Sequence, residues 1–181
     1  MPAGFSSSDH DDLVRAERDV RERIGSYDLD VASMAAISNV FRVANVARHH
    51  LERTVLARYD LSFTAFTVLW VVWVWGEMES RHLAAEAGIT KGTLTGVVRT
   101  LERRGLVERR THAADRRLVL VSASPEGEAT MEQLFPEFNA QETTISSGLS
   151  ATGKAELAGR LRTVLRTIEG LTDGCHRSAC A

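Results

Sequence analysis

Cysteine is nearly absent: Cys175 and Cys180 are the only two in 181 residues, and both fall at the carboxy terminus. They imply no disulfide framework. Elsewhere the chain shows no nucleophile–base pairing, phosphate loop or paired metal-ligand motif. The expectation is therefore a protein that is not an enzyme and carries no metal or cofactor. Long apolar runs are missing too. The most apolar stretch, Val68–Trp75, is eight residues, against the roughly 20 that a membrane-spanning helix needs. The amino terminus, MPAGFSSSDHDD, is acidic and lacks the apolar run of a secretory signal. A cytoplasmic location with no membrane partner is expected. No internal repeat or low-complexity tract is present.

What is present is the balance of an ordinary globular protein, with 44% apolar and 25% charged residues. The length suits one domain, or one domain with an appended element. A net charge of −2 argues at first against nucleic acid. Its distribution argues the other way. Between Lys91 and Arg117 stand eight basic residues (Lys91, Arg99, Arg103, Arg104, Arg109, Arg110, Arg116, Arg117) and three acidic ones (Glu102, Glu108, Asp115). That is a local charge of +5, which leaves −7 for the rest of the chain. A basic face on an acidic body suits docking on phosphates.

Apolar residues at helical spacing place the elements. Leu13, Ala16, Val20 and Ile24 predict an amphipathic helix within an amino-terminal extension, residues 1–30. Met34, Ile37, Phe41, Ala44, Ala47, Leu51, Val55 and Leu56 predict a longer one ending near Arg58. Roughly 28 residues at 1.5 Å each would span about 42 Å, enough to cross the molecule or a dimer interface. Ser62 is the expected N-cap of a helix over 63–75 that is apolar nearly all round. Ser80 and Thr90 read as caps of two short helices, with Gly88 in the turn between them. Pro125 opens a helix to about Thr144, with a kink expected at Pro136. Ser150 starts a last helix striped by Leu157, Leu161, Val164, Leu165 and Ile168. Beyond Gly170 the chain reads as a flexible tail, residues 171–181.

Residues 83–127 carry the chemistry. Leu83, Ala87, Ile89, Leu94, Val97 and Leu101 are spaced to form a small core between the two short helices. That leaves Thr90, Lys91, Thr93, Thr95, Gly96, Arg99 and Arg103 toward solvent or a DNA groove. Thr93 and Thr95 offer hydroxyls and methyls to base edges, and Arg99 a guanidinium to a guanine or a phosphate. Gly96 costs about 1 kcal/mol of helix propensity against Ala; it either lets the backbone approach DNA closely or is simply tolerated there. After Gly105, Leu106–Arg110 alternates as a strand, THAADRR turns, and Leu118–Val121 returns. Arg116 and Arg117 at this tip suit a narrow minor groove, while Asp115 is expected to pair with an adjacent Arg and hold the loop's shape. The expected fold is mainly α with a small β-hairpin wing: a winged helix-turn-helix over 61–124 whose partner is double-stranded DNA.

The same stretch resembles the MarR family (multiple antibiotic resistance regulators). Leu101-Glu102-Arg103-Arg104-Gly105-Leu106-Val107-Glu108-Arg109 matches its L-E-x-x-G-L-V-x-R element. Asp115-Arg116-Arg117 matches its D-x-R wing, and Ser124-Pro125-Glu126-Gly127 stands where it has T-x-x-G. Leu61-Ser62 is similar to its L-T motif, and the resemblance covers about residues 33–170. It implies a homodimer built on long amino- and carboxy-terminal helices, here residues 31–60 and 125–170. It also implies a repressor that sets two recognition helices on a pseudo-palindromic operator, with half-sites about 10 bp apart, and is released by a small aromatic or lipophilic effector. The chain departs from the family at Gly96, where Arg is frequent, and at Arg99, where an acidic residue is frequent.

Effectors of the family bind between the dimer helices and the DNA-binding lobe. Here that implies a wall of Phe66, Trp70 and Trp73 and a cationic rim of His49, His50 and Arg53. An aromatic acid would pack its ring on the wall and pair its carboxylate with the rim. Two alternatives stand beside this reading: an architectural DNA-binding protein without effector, and a thiol-based redox-sensing regulator using Cys175 and Cys180.

Overall fold

The computed structural model describes residues 10–25, 27–115 and 117–178. The order is α1 (His10–Ile24), α2 (Val31–Thr54), a 3-10 turn (Leu56–Tyr59), α3 (Phe63–Trp75), β1 (Met78–Glu79), α4 (Ser80–Glu86), α5 (Lys91–Arg103), β2 (Val107–Thr111), β3 (Val119–Ala123), α6 (Pro125–Ile145) and α7 (Ala151–Ser178). The chain divides within α6 into two compact units, the first ending at Leu134 and the second beginning at Phe135. The fold is thus mainly helical with one small antiparallel sheet of order β1-β3-β2.

Local chemistry fixes most boundaries in the first unit. Asp30 accepts the Ser33 N–H at 3.0 Å and starts α2. Two acceptors serve the first turn of α3: Ser62 Oγ takes the Ala65 N–H at 3.2 Å, and Glu52 of α2 takes the Phe63 N–H at 2.9 Å. Those are two of the four donors that a helix start leaves unmatched. Thr90 Oγ1 accepts the Thr93 N–H at 3.2 Å and starts α5. Helix ends α4 and α5 close in the same way. Gly88 (φ 63°) donates to Ala85 O, and Ile89 donates to Ala84 O. Gly105 (φ 73°) donates to Glu102 O, and Leu106 donates to Leu101 O. Both are Schellman turns, in which a left-handed residue satisfies the last carbonyls and glycine adopts that φ without penalty.

α3 is the centre of this unit. Its Phe66, Val68, Leu69, Val71 and Val72 are buried, and it packs against α4, α5 and β3. Leu83, Leu94, Val98 and Leu101 complete the core beneath α5, with Leu106, Val107 and Val121 from the sheet. Val98 therefore takes the place expected of Val97, which is half-buried, and Ala84 is more deeply buried than Ala87. Met131 and Leu134 in the first half of α6 are fully buried within the same unit.

The Ser124–Gly127 segment is tightly fitted. Ser124 Oγ donates to Gly105 O and accepts the Gly127 N–H at 3.0 Å. A Cβ on Gly127 would lie 2.0 Å from Leu106 O. The hydroxyl and the missing side chain thus join the end of α5 to the start of α6, which is the physical content of this motif.

Several boundaries differ from expectation. α2 has 24 residues, about 36 Å, because the apolar pattern continues through Val55 and Leu56 into the 3-10 turn. The cap position of α4 is Glu79, and Ser80 is its first helical residue, with Oγ donating to Val119 O at 3.0 Å. α6 runs as expected from Pro125 through Pro136 to Ile145, whereas α7 continues past Gly170 to Ser178.

Candidate nucleic-acid interface

The exposed side of α5 carries Lys91, Gly92, Thr93, Thr95, Gly96, Arg99, Thr100 and Arg103. Burial of Leu94, Val98 and Leu101 on the other side turns them outward. Lys91, Arg99 and Arg103 take no ion pair among the described residues. Thr95 Oγ1 donates to Lys91 O at 2.9 Å, and the Thr90 and Thr93 hydroxyls lie 2.9 Å apart. Their methyls and remaining lone pairs are left for an incoming groove. Around Gly96 a Cβ would meet no atom within 4 Å, so nothing within the chain requires glycine there. A Cβ on Gly92, one turn earlier, would meet only Thr90 Oγ1 beyond its own helix backbone, at 3.9 Å. Sequence reasoning passed over Gly92, although its spacing from Gly96 signals the shared face.

The wing is β2–β3, paired from Val107↔Ala123 to Thr111↔Val119. Its turn is organised from within. His112 Nδ1 accepts the Ala114 and Asp115 N–H groups at 3.2 and 3.3 Å. Asp115 accepts the Arg117 N–H at 3.0 Å and its guanidinium at 3.1 and 3.2 Å. The Arg117 bonds hold the Asp115 carboxyl below the usual range. The expected pairing of Asp115 with a neighbouring Arg is present, and Arg117, with its side chain 91% exposed, remains at the tip. Arg116 lies outside the described residues.

Not all of the local charge is available to phosphates. Arg109 of β2 pairs with Glu102 of α5, and Arg110 grips Glu77 in the turn after α3 with both Nε and Nη2. The Arg110 bonds hold Glu77 below the ordinary carboxylate range. The Glu and final Arg of L-E-x-x-G-L-V-x-R therefore lock β2 onto α5. Between α5 and the wing lies a cleft of about 360 Å³ whose cations are Arg81, Lys91, Arg109 and Arg117. Arg81, beside Glu79 at 2.7 Å, is a basic residue here that sequence reasoning did not single out.

Among the described residues, the cavity that gathers the cationic rim expected to hold an effector does not include Phe66, Trp70 or Trp73. His49, His50 and Arg53 lie with Val46 and Thr54 along an exposed concavity on α2. Phe66 is buried, 6.2 Å from the Phe63 ring, and Trp70 stacks edge-on against Trp75 at 5.1 Å. Phe66 packs into the lobe, while Phe63, Thr64 and Thr67 face α2. Those three form a groove of about 470 Å³ with Asn45, Arg48 and Leu51 of α2 and with Ala87 and Ile89 of the turn before α5. Cys175 falls within α7, and Cys180 lies outside the described residues.

A MarR family model matches residues 61–119. The HTH-type transcriptional regulator YwaE of Bacillus subtilis is 35% identical over 161 residues, covering 87% of this chain and 94% of the relative. The chain belongs to the MarR family. Among solved structures, MarR C80S from E. coli complexed with operator DNA is similar at 25% identity and TM-score 0.68, over 77% of this chain and 99% of that one. Bordetella bronchiseptica BpsR, described with a mechanism for regulation of DNA binding by 6-hydroxynicotinic acid, is 25% identical with TM-score 0.64, over 71% and 98%. This MarR-family chain is accordingly a DNA-binding transcriptional regulator and not an enzyme. Among the described residues no helix is long and apolar enough to cross a membrane.

Proposed function

We propose that the protein is a homodimeric repressor that reads a pseudo-palindromic operator and is released by a small aromatic or lipophilic acid. The observation that carries this reading is the outward face of α5, with Lys91, Arg99, Arg103 and two uncrowded glycines beside the Arg117 wing. A helix with cations along one side and no bulk at its centre fits a major groove, and an arginine at a hairpin tip fits the adjoining minor groove. Apolar exposure supports the second copy. Phe41 is 66% exposed on α2, and Leu165 and Ile168 are 57% and 53% exposed on α7. Apolar faces of this kind mark association sites, and symmetric pairing of two copies is the commonest way to cover them.

For the effector, the groove at Phe63 replaces the wall around Phe66, Trp70 and Trp73. Phe63 offers a ring face, Arg48 and Asn45 offer donors for a carboxylate, and Ala87 and Ile89 connect the site to the turn that aims α5. Regulation of BpsR by an aromatic acid agrees in chemistry. Sedimentation with and without DNA flanking the protein's own gene, followed by titration with aromatic acids, tests the reading. Two protomers per duplex and acid-dependent release are expected. A monomer on DNA, or no release by any acid tested, would contradict it.

A further inference from the structure

We propose that Arg104 is a positioning residue for recognition: it latches the end of α5 to the corner between α2 and α3 and sets the angle of α5 in the groove without touching DNA. The proposal rests on α5 being the element that enters the groove. Arg104 follows the last helical residue of α5. Its guanidinium reaches across 44 residues of sequence to donate from Nη1 to Asp60 O at 2.5 Å and from Nη2 to Tyr59 O at 2.6 Å. Those carbonyls close the 3-10 turn after α2. Asp60 is left-handed there (φ 50°), with its N–H bonded to Ala57 O and the Leu61 N–H bonded to Leu56 O. The turn's own bonds are thereby used by carbonyls further back, and the outward oxygens of Tyr59 and Asp60 fall to Arg104.

Three features make this a latch and not a surface contact. A planar guanidinium presents paired donors that a lysine ammonium lacks. The cation sits at two carboxy-terminal helix ends at once, where the dipoles of both favour positive charge. The corner is also tied from its other side, since Glu52 of α2 caps α3 at Phe63 N. α2, the corner and the end of α5 are thus joined by directed bonds. The adjacent Arg103 is exposed, so the Arg-Arg pair divides into one side chain facing outward and one turned to the scaffold. Recognition tolerates errors of only about 0.5 Å and 10–20° in such supporting geometry.

The test compares R104M and R104K with wild type by fluorescence anisotropy on the operator and on a random duplex across a salt series, with thermal unfolding as a fold control. R104M keeps the aliphatic stem, and R104K also keeps the charge, so one readable variant remains if the other unfolds. Both are expected to lose about tenfold or more on the operator, while random-duplex affinity and the salt slope stay at wild-type values. Wild-type operator affinity in R104K would overturn the latch. So would a salt slope lowered by about one in R104M, because that marks a direct phosphate contact. R99A separates the premise from the proposal. An unchanged operator affinity in R99A, together with losses in both Arg104 variants, would mean that α5 is not the reading element and that the premise has failed.

Discussion

Gly96→Ala should stabilise the protein and weaken its hold on the operator, two effects that usually run together and here have opposite signs. Gly96 lies in the middle of α5, is exposed, and has an ordinary helical φ. A Cβ there would meet no atom within 4 Å, so the substitution adds no strain. Removing a glycine from a helix interior is worth about 1 kcal/mol, or roughly 2–4 °C in Tm for a chain of this size. On DNA the same methyl would stand between Lys91 and Arg99, on the side that faces the groove. If glycine is there to let the backbone approach bases, operator affinity should fall by about tenfold, some 1.4 kcal/mol, with the salt slope unchanged because no phosphate contact is lost. Calorimetry and anisotropy on one preparation read both arms. A stabilised G96A that binds the operator as well as wild type would refute the close-approach argument. A destabilised G96A would refute the open surroundings.

Gly127→Ala is expected to act in the opposite sense on stability. Its Cβ would lie 2.0 Å from Leu106 O and 3.3 Å from Leu69 Cδ1, so about 1–3 kcal/mol or more should be lost in denaturant unfolding. Glu77 and Asp115 both titrate below their ordinary values because Arg110 and Arg117 bond the charged forms. Their contribution is therefore complete above the unfolded carboxylate value and is lost only as pH falls through the lower folded one. Between about pH 5 and 8, wild type and D115N should show DNA affinities with the same pH dependence; divergence in that window would contradict the assignment. For the groove, R48M should abolish release by carboxylated aromatics while leaving operator binding without ligand within about twofold, and equal release in both proteins would remove Arg48 from the site.

Much of this was legible because it is local. Ser62, Thr90, Gly88 and Gly105 act within a few residues of themselves, so their identities announce the ends of α3, α4 and α5 before any packing is known. The outward set on α5 was legible for the same reason, since helical spacing separates Leu94 and Leu101 from Lys91, Thr95 and Arg99. β1 was not legible: two residues are too few for any periodicity, and Met78 and Glu79 become a strand only by pairing with Val121 and Leu120. The +5 patch is reduced by tertiary structure, which brings Glu77 from outside it onto Arg110 and turns the charge of Arg104 toward backbone carbonyls. The structure separates the buried Phe66 from the groove that Phe63 lines. Spacing showed that Phe63, Phe66, Trp70 and Trp73 recur together, but only the packing of α3 against α4, α5 and β3 decides which of them meets α2.

The most direct test of the central claim, that the outward face of α5 reads a specific sequence, is the ratio of affinities for the protein's own upstream DNA and for random duplex at physiological salt. A ratio of about 10³ or more is expected of a sequence-specific regulator, collapsing toward one when Thr95 and Arg99 are both replaced by alanine. Equal affinity for the two duplexes in the wild-type protein, or an undiminished ratio in the double variant, would contradict it.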